Sequence, residues 1–182
     1  AVVTGAASGK TLCYNVPVLE SVLTDRTSRA LYIFPTKALA QDQRRNLAGL
    51  VALLPVPVRV ATFDGDTPRE ERLRARRTAQ IVITNPDMLH LGLLPNHRSW
   101  SRFLRRLRYV VIDEVHGYRG VFGSHVANVL RRLRRLLDGY GARPQYICCS
   151  ATIANPGEHV ERLVGLPFRV VEDDGAPRGR KD

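Results

Sequence analysis

Short apolar runs alternate along the chain with longer segments in which apolar positions recur every three or four residues. The runs at 30–34 and 109–112 are apolar throughout, which is typical of strands covered on both faces of a parallel sheet. The segment 124–138 has one apolar face and carries most of its arginines outside it, which predicts an amphipathic helix. Strands are predicted at 1–3, 30–34, 58–63, 81–83, 109–112, 145–149 and 168–171, and helices at 11–23, 36–50, 69–78, 88–91, 100–107, 124–138 and 158–163.

This alternation of strands and helices specifies an α/β fold, a parallel sheet with helices on both faces. The length of 182 residues suits one domain. We expect 1–171 to form that domain and the polar tail 172–182 to be a linker. The chain starts inside its first predicted strand without an initiator Met, so we expect it to be part of a longer protein. No apolar run approaches the roughly 20 residues of a membrane span, and we expect no membrane partner.

The composition is strongly basic, with 28 Lys plus Arg against 17 Asp plus Glu and a formal net charge of +11. An arginine excess of this size indicates a polyanionic partner, because guanidinium groups bind phosphate in a bidentate manner. A solvated basic surface is the alternative. Cys13, Cys148 and Cys149 lack C-x-x-C spacing, so we expect reduced, buried residues of a cytoplasmic protein.

Polar stretches follow six of the predicted strands. They lie at 5–11, 35–38, 64–67, 84–90, 113–116 and 150–152. In an open parallel sheet, ligands bind at the carboxyl ends of the strands. The fold would therefore gather these stretches along one edge, which predicts a composite site there.

The first of these stretches has the pattern of a P-loop, Thr-Gly-Ala-Ala-Ser-Gly-Lys-Thr at 4–11. Backbone N–H groups of such a loop and the following helix N-terminus bind phosphate. We expect Lys10 to reach the outer phosphates and the Thr11 hydroxyl to hold Mg²⁺. The predicted nucleotide-binding residues are Thr4, Gly5, Ala6, Ala7, Ser8, Gly9, Lys10 and Thr11. Thr4 stands where the strict pattern has glycine, so a glycine-rich helix N-terminus without nucleotide is the alternative.

The second informative stretch is Asp113-Glu114, which follows four apolar residues. A buried strand that ends in a carboxylate can bring it to the magnesium held by Thr11, and Asp113 fits this role. Glu114 is placed to orient or deprotonate an attacking water. Together with Lys10, these residues predict catalysis of nucleoside triphosphate hydrolysis with ATP and Mg²⁺.

Five motifs in order resemble those of superfamily 2 helicases of the DEAD/DEAH-box type. They are Gly-Lys-Thr at 9–11, Pro-Thr-Lys-Ala-Leu at 35–39, Thr-Asn-Pro-Asp at 84–87, Asp-Glu-Val-His at 113–116 and Ser-Ala-Thr at 150–152. The resemblance covers nearly the whole chain and implies the first of two RecA-like domains. The stretch from 113 to 125 and the P-loop also resemble the mitomycin repair factor A group, DEVH-type DNA helicases with a C-terminal zinc domain that move 3′ to 5′.

The resemblance also implies roles for individual residues. The residues that would couple hydrolysis to movement are His116, Ser150 and Thr152. The residues that would lie along the nucleic-acid track are Pro35, Thr36, Gly65, Thr84 and Asp87. Plain structural roles are the alternatives, with Thr36 as a helix cap, Thr84 as a turn former and His116 as a packing residue. Trp100 and Phe103 are predicted to belong to the core rather than to a base-stacking surface.

The function implied by this resemblance is that of an ATP-dependent DNA helicase or translocase linked to DNA repair, with single-stranded DNA and the second RecA-like domain as partners. An RNA-remodelling ATPase and a binding module without turnover are the alternatives. The family's adenine-reading glutamine and its motifs IV to VI are not in this chain. Because an arginine finger accounts for about 10³–10⁵ in rate in related hydrolases, we expect the isolated domain to be poorly active.

Overall fold

The sheet predicted from the apolar runs is present and consists of six strands. The computed structural model describes residues 1–4 and 9–171. The strands are β1 (Val2–Val3), β2 (Arg29–Ile33), β3 (Val60–Phe63), β4 (Ile81–Thr84), β5 (Leu107–Ile112) and β6 (Gln145–Ser150). The α-helices are α1 (Lys10–Thr24), α2 (Lys37–Ala52), α3 (Arg69–Thr78), α4 (Pro86–Met88), α5 (Ser101–Leu104), α6 (Gly120–Gly139) and α7 (Pro156–Val164). A π-helical turn at Leu89–Leu93 and 3₁₀ turns at His97–Trp100 and Val115–Gly117 join them.

The strand order is β1-β6-β5-β2-β4-β3, and every pair is parallel. Ile33 at the end of β2 pairs with Thr84 on one side and with Ile112 on the other. Ile112 in turn pairs with Cys148 of β6. The ends of β2, β4 and β5 therefore lie level, and β6 continues for two more residues. The polar stretches that follow these strands share one edge of the sheet, as predicted.

Side chains of β2 alternate between two buried clusters, one on each face of the sheet. Leu31 and Ile33 pack with residues of α6 and α7, whereas Ala30 and Tyr32 pack with residues of α1 and α2. This period of two explains why the strand is apolar at every position. Trp100 is fully buried in the first cluster, in edge contact with Phe63 and Phe103, which confirms the predicted core role.

Helix bounds differ in several places from those predicted. Helix α5 ends at Leu104 rather than at Leu107, and α6 begins at Gly120 rather than at Ser124. Helix α1 continues through Pro17. Gly120 has φ +58°, and a Cβ on Gly123 would lie 2.4 Å from the carbonyl oxygen of Tyr118. These glycines permit the tight entry into α6, because only glycine fits there, and they do not extend the preceding loop.

Two predicted strands also differ from those in the structure. The predicted strand at 168–171 is reduced to a bridge between Val171 and Val2, and β3 begins at Val60 instead of Val58. Cys148 and Cys149 are buried as predicted, but Cys13 is exposed because it lies on the outer face of α1.

Within the described residues, no helix is long and apolar enough to cross a lipid bilayer. The predicted linker 172–182 lies outside the described residues.

Candidate nucleotide and nucleic-acid site

Lys10 lies in the first turn of α1 and connects the ends of two strands. Its Nζ donates to the carbonyl oxygens of Thr4 and Ser150, each at 3.1 Å. Gly9 precedes the helix in a left-handed conformation, with φ 75°. Gly5, Ala6, Ala7 and Ser8, which are predicted to bind phosphate, lie outside the described residues. Lys10 therefore brings its positive charge to the edge where β1 and β6 end.

Asp113 directly follows β5, and its side chain is held at both carboxylate oxygens. Oδ1 accepts from the backbone N–H of Glu114 at 2.8 Å, and Oδ2 accepts from the Tyr14 hydroxyl at 2.9 Å. Asp113 is only 5% exposed. Burial raises the pKa of its carboxyl, whereas these two hydrogen bonds and the charge of Lys10 oppose that change. The carboxylate is thus fixed in one orientation at a strand tip.

Glu114 occupies the left-handed region, with φ 53° and ψ 42°, which is uncommon for a residue other than glycine. Its carbonyl accepts from Gly117 N–H at 2.8 Å, which closes the 3₁₀ turn at Val115–Gly117. Its Oε2 lies 3.1 Å from Nδ1 of His116. That nitrogen has no hydrogen bond of good geometry, so the contact is a proximity rather than an aligned bond. Strained backbone of this kind is concentrated at functional sites.

The segment after β6 lies beside these groups. Ser150 is fully buried, and its carbonyl accepts from Lys10 Nζ and from Thr4 N–H. Its Oγ is one of the buried side-chain atoms, among those described, that lack a hydrogen-bond partner. Thr152, two residues on, is exposed. Of the predicted coupling residues, Ser150 is buried and contacts Lys10, and Thr152 is at the surface of the domain.

The residues predicted to lie along the nucleic-acid track differ in solvent exposure. Thr36 is exposed and caps α2, where its Oγ1 accepts from Leu39 N–H at 3.3 Å. Gly65 and Asp87 are also exposed, and Pro35 is half-buried. Thr84 is fully buried, and its hydroxyl donates to the Phe63 carbonyl at 2.7 Å. That hydroxyl is not at the surface of this structure.

A set of polar contacts orders the loop that contains Gly65. Arg72 of α3 donates to the carbonyls of Thr67 at 2.7 Å and Gly65 at 2.8 Å. Lys37, at the start of α2, forms an ion pair with Asp66. The two exposed segments that begin at Pro35 and Asp64 are thereby joined at the carboxyl edge of the sheet.

Sequence analysis did not identify two residues that contact this site, Tyr14 and His159. Tyr14 follows Lys10 by four residues and Thr11 by three, a spacing that places all three on one helical face and could have indicated its position. His159 of α7 donates from Nε2 to the Val115 carbonyl at 2.8 Å. Nothing in the sequence pairs His159 with residue 115, because that contact depends on how α7 packs.

A lysine at a strand–helix junction, with a buried aspartate two strands away at the same edge of a parallel sheet, is the arrangement expected at the nucleotide-binding edge of a RecA-like domain. Residues 1–160 match the DEAD/DEAH box helicase family, and the chain belongs to that family. The helicase family and the RecA-like fold predicted from the sequence are thus confirmed.

Relatives of this chain include an uncharacterised ATP-dependent helicase, YprA, of Bacillus subtilis, which is 57% identical over 98% of this chain and 24% of its own length. The ATP-dependent helicase hrq1 of Schizosaccharomyces pombe is 44% identical over 98% of this chain and 17% of its own. A crystal structure of the helicase MrfA bound to DNA and AMPPNP superposes with a TM-score of 0.94 and 55% identity, over 98% of this chain and 26% of MrfA. The chain therefore spans about a quarter or less of these proteins.

Proposed function

We propose that this chain is the ATP-binding motor domain of an ATP-dependent DNA helicase or translocase that moves 3′ to 5′ and acts in DNA repair. The observation that carries this proposal is the meeting of Lys10 and the fixed Asp113 carboxylate at one sheet edge. Support for DNA as the track comes from MrfA, a similar protein whose crystal structure holds both DNA and AMPPNP.

Lys10 would neutralise the outer phosphates of ATP. Its ammonium already spans the carbonyls of Thr4 and Ser150, so it lies between the end of β1, where the P-loop begins, and the end of β6. Phosphate binding by P-loops uses backbone N–H groups together with such a lysine, and the loop residues 5–8 would supply the N–H groups. In the proposed domain, Lys10 therefore binds nucleotide and also stabilises charge that develops during hydrolysis.

The donors near Asp113 suit Mg²⁺. This ion binds oxygen ligands and usually combines one or two carboxylates with water and substrate phosphates. Asp113 offers one carboxylate and Thr11 one hydroxyl, and the described parts of the chain hold no group of three or more His, Cys, Asp or Glu that could bind a metal alone. Asp113 and Thr11 would therefore hold Mg²⁺ jointly with the nucleotide. When bound, Mg²⁺ neutralises phosphate charge in hydrolysis.

Glu114 would orient the attacking water and accept its proton. Its backbone is in the left-handed region, and the hydrogen bond from Gly117 N–H to its carbonyl holds that conformation. The His116 ring beside it would transmit the state of the nucleotide, and Ser150 and Thr152 would do so from the end of β6. The second RecA-like domain of the parent chain would supply the remaining catalytic groups.

Single-stranded DNA would cross the exposed ends of β2, β3 and β4. Thr36, Gly65 and Asp87 offer backbone N–H and hydroxyl groups there, which contact phosphates without reading bases. The ion pair between Lys37 and Asp66 would keep the first two of these segments together.

The test is the ATPase activity of the full-length protein with and without single-stranded DNA or RNA of equal length. We expect stimulation by DNA, and loss of turnover in Lys10→Ala and Glu114→Gln, of which E114Q retains ATP binding. Glu158→Gln is a matched control, since Glu158 is an exposed partner of Arg162 away from the site. Normal turnover in E114Q would refute the assigned role, and stimulation by RNA alone would identify an RNA-remodelling enzyme.

Direction of movement needs a separate measurement. Displacement of streptavidin from the 3′ or the 5′ end of biotinylated single strands reports polarity directly. We expect displacement from the 5′ end only, as for a motor that moves 3′ to 5′. Displacement from the 3′ end would reverse that part of the proposal and leave the ATPase assignment intact.

A further inference from the structure

Tyr14 is a buried tyrosine of the nucleotide-binding helix, and the proposed chemistry does not use it. It is 1% exposed, and its hydroxyl donates to Oδ2 of Asp113 at 2.9 Å inside the protein. The same hydroxyl lies 3.5 Å from Oε1 of Gln43. Because Tyr14 is one turn after Thr11 on α1, its hydroxyl links the helix that carries Thr11 to Asp113.

Packing fixes the ring that carries this hydroxyl. The rings of Tyr14 and Tyr32 meet edge to face, with centroids 5.3 Å apart and an interplanar angle of 85°. Tyr32 is itself fixed by its hydroxyl, which donates to Oδ1 of Asn15 at 3.0 Å. Because a close-packed ring cannot move without moving its neighbours, the Tyr14 hydroxyl is held in place independently of any ligand.

The carboxylate of Asp113 has two structural donors, one at each oxygen. Glu114 N–H supplies the first from the adjacent residue, so among the described residues Tyr14 is the one donor that reaches this carboxylate from another element of the fold. Each carboxylate oxygen keeps a further acceptor position after these bonds. The hydrogen bond from Tyr14 thus orients the group and leaves it able to bind a cation.

We propose that Tyr14 is a positioning residue, whose hydroxyl ties Asp113 of β5 to α1, the helix that carries Thr11, and so sets the distance between the two metal-holding side chains before the metal arrives. The inference rests on the proposed function and adds a residue to it. Residues that orient metal ligands in this way typically account for 10–100-fold in metal affinity or activity.

The test compares Tyr14→Phe with the wild type in the full-length protein. Mn²⁺ replaces Mg²⁺ as the probe, and its binding in the presence of AMPPNP is measured by electron paramagnetic resonance, which needs no turnover. We expect Y14F to weaken Mn²⁺ binding about 10–100-fold. Affinity for a fluorescent ATP analogue in EDTA should stay unchanged, because Lys10 and the P-loop backbone remain.

Tyr32→Phe is the matched control. It removes a buried hydroxyl from the same aromatic cluster but breaks a bond to Asn15, not to Asp113. Equal losses of melting temperature in the two variants, with loss of Mn²⁺ affinity in Y14F alone, would support the inference. If Y14F does not fold, Tyr14→Met fills the same apolar space without a donor and takes its place.

A double-mutant cycle decides whether the hydroxyl acts through Asp113. In an Asp113→Asn background, Y14F should cause no further loss of Mn²⁺ affinity. The inference would be overturned if Y14F bound Mn²⁺ as tightly as the wild type, or if Y14F weakened Mn²⁺ binding equally in the Asp113→Asn background. The proposed function would still stand after such a result if the wild type showed metal-dependent nucleotide binding that Lys10→Ala abolished. A wild type without such binding would refute the proposed function itself.

Discussion

His159 and Val115 are joined by a hydrogen bond of 2.8 Å between the imidazole Nε2 and the carbonyl oxygen. His159 lies in α7 and Val115 immediately follows Asp113-Glu114, so α7 supports the turn next to the two carboxylates that are proposed to be catalytic. The carbonyl is an acceptor, which assigns the proton to Nε2. In the sequence, β6 and the segment that contains Thr152 lie between Val115 and His159.

Removal of this support should lower activity more than stability. For His159→Ala we expect a loss of about 0.5–1.5 kcal/mol in the free energy of unfolding, the usual net contribution of one hydrogen bond. The nucleic-acid-stimulated kcat should also fall, because the turn at Val115–Gly117 holds Glu114. Urea melts and steady-state ATPase assays measure the two effects. His125→Ala, at an exposed position of α6, should change neither.

Gly123 should not accept a side chain. A Cβ there would lie 2.4 Å from the Tyr118 carbonyl oxygen, a contact with backbone that cannot be relieved by rotating a side chain. We expect Gly123→Ala to destabilise the domain by about 1–3 kcal/mol.

Gly49 of α2 provides the matched control, since a Cβ added there would meet no heavy atom within 4 Å and its φ is not positive. Gly49→Ala should stabilise the domain by about 0.5–1 kcal/mol through helix propensity. Thermal melts of both variants measure the difference. A neutral G123A would show that the entry into α6 can relax.

The three cysteines should react at very different rates. Burial raises the pKa of Cys148 to about 12 and raises that of Cys149 as well, so both remain protonated thiols at pH 8. Cys13 is exposed. Titration of the folded chain with Ellman's reagent should give one fast equivalent, and guanidinium should release the other two. The fast equivalent should disappear in Cys13→Ser, and its persistence would place a buried thiol at the surface.

The ionised Asp113 side chain should lower the free energy of unfolding in the absence of ligand. Burial raises its folded-state pKa above the ordinary value of 3.8, so the ionised form is less favourable in the folded protein than in the unfolded chain. This penalty is absent below pH 3.8, grows as pH rises through the window up to the raised pKa, and is complete above it.

Asp113→Asn should therefore be more stable than the wild type at pH 7 and gain no such advantage at the acid end of that window. Denaturant melts across about pH 3.5–7.5 measure the difference between the two proteins, at conditions chosen to span the shift. ATPase activity should be lost in the same variant. A D113N protein less stable than the wild type at pH 7 would mean that its hydrogen bonds outweigh the desolvation.

Much of the fold could be predicted because it depends on local pattern. Uniformly apolar runs such as 30–34 identify strands that are buried on both faces, and the alternation with helices specifies a parallel sheet. The P-loop pattern and Asp113-Glu114 were recognisable for a similar reason, since each is a short stretch at the end of a strand.

Helix ends and burial were less predictable. The glycines before Ser124 favour a loop when only neighbours in sequence are considered, yet Gly120 and Gly123 are needed where α6 passes close to Tyr118. The fully buried Thr84 likewise has the pattern of a polar strand end, and only the contact with Phe63 from the adjacent strand shows where its hydroxyl lies.

The sequence by itself determined the order of elements, the family and the residues that are proposed to carry the chemistry, because hydrophobic period and motif spacing are properties of neighbouring positions. The tertiary structure decided which of these residues meet. Tyr14 and Asp113 are 99 positions apart, and His159 and Val115 are 44 apart. Strand order and helix packing set such contacts, and neither is contained in any local pattern.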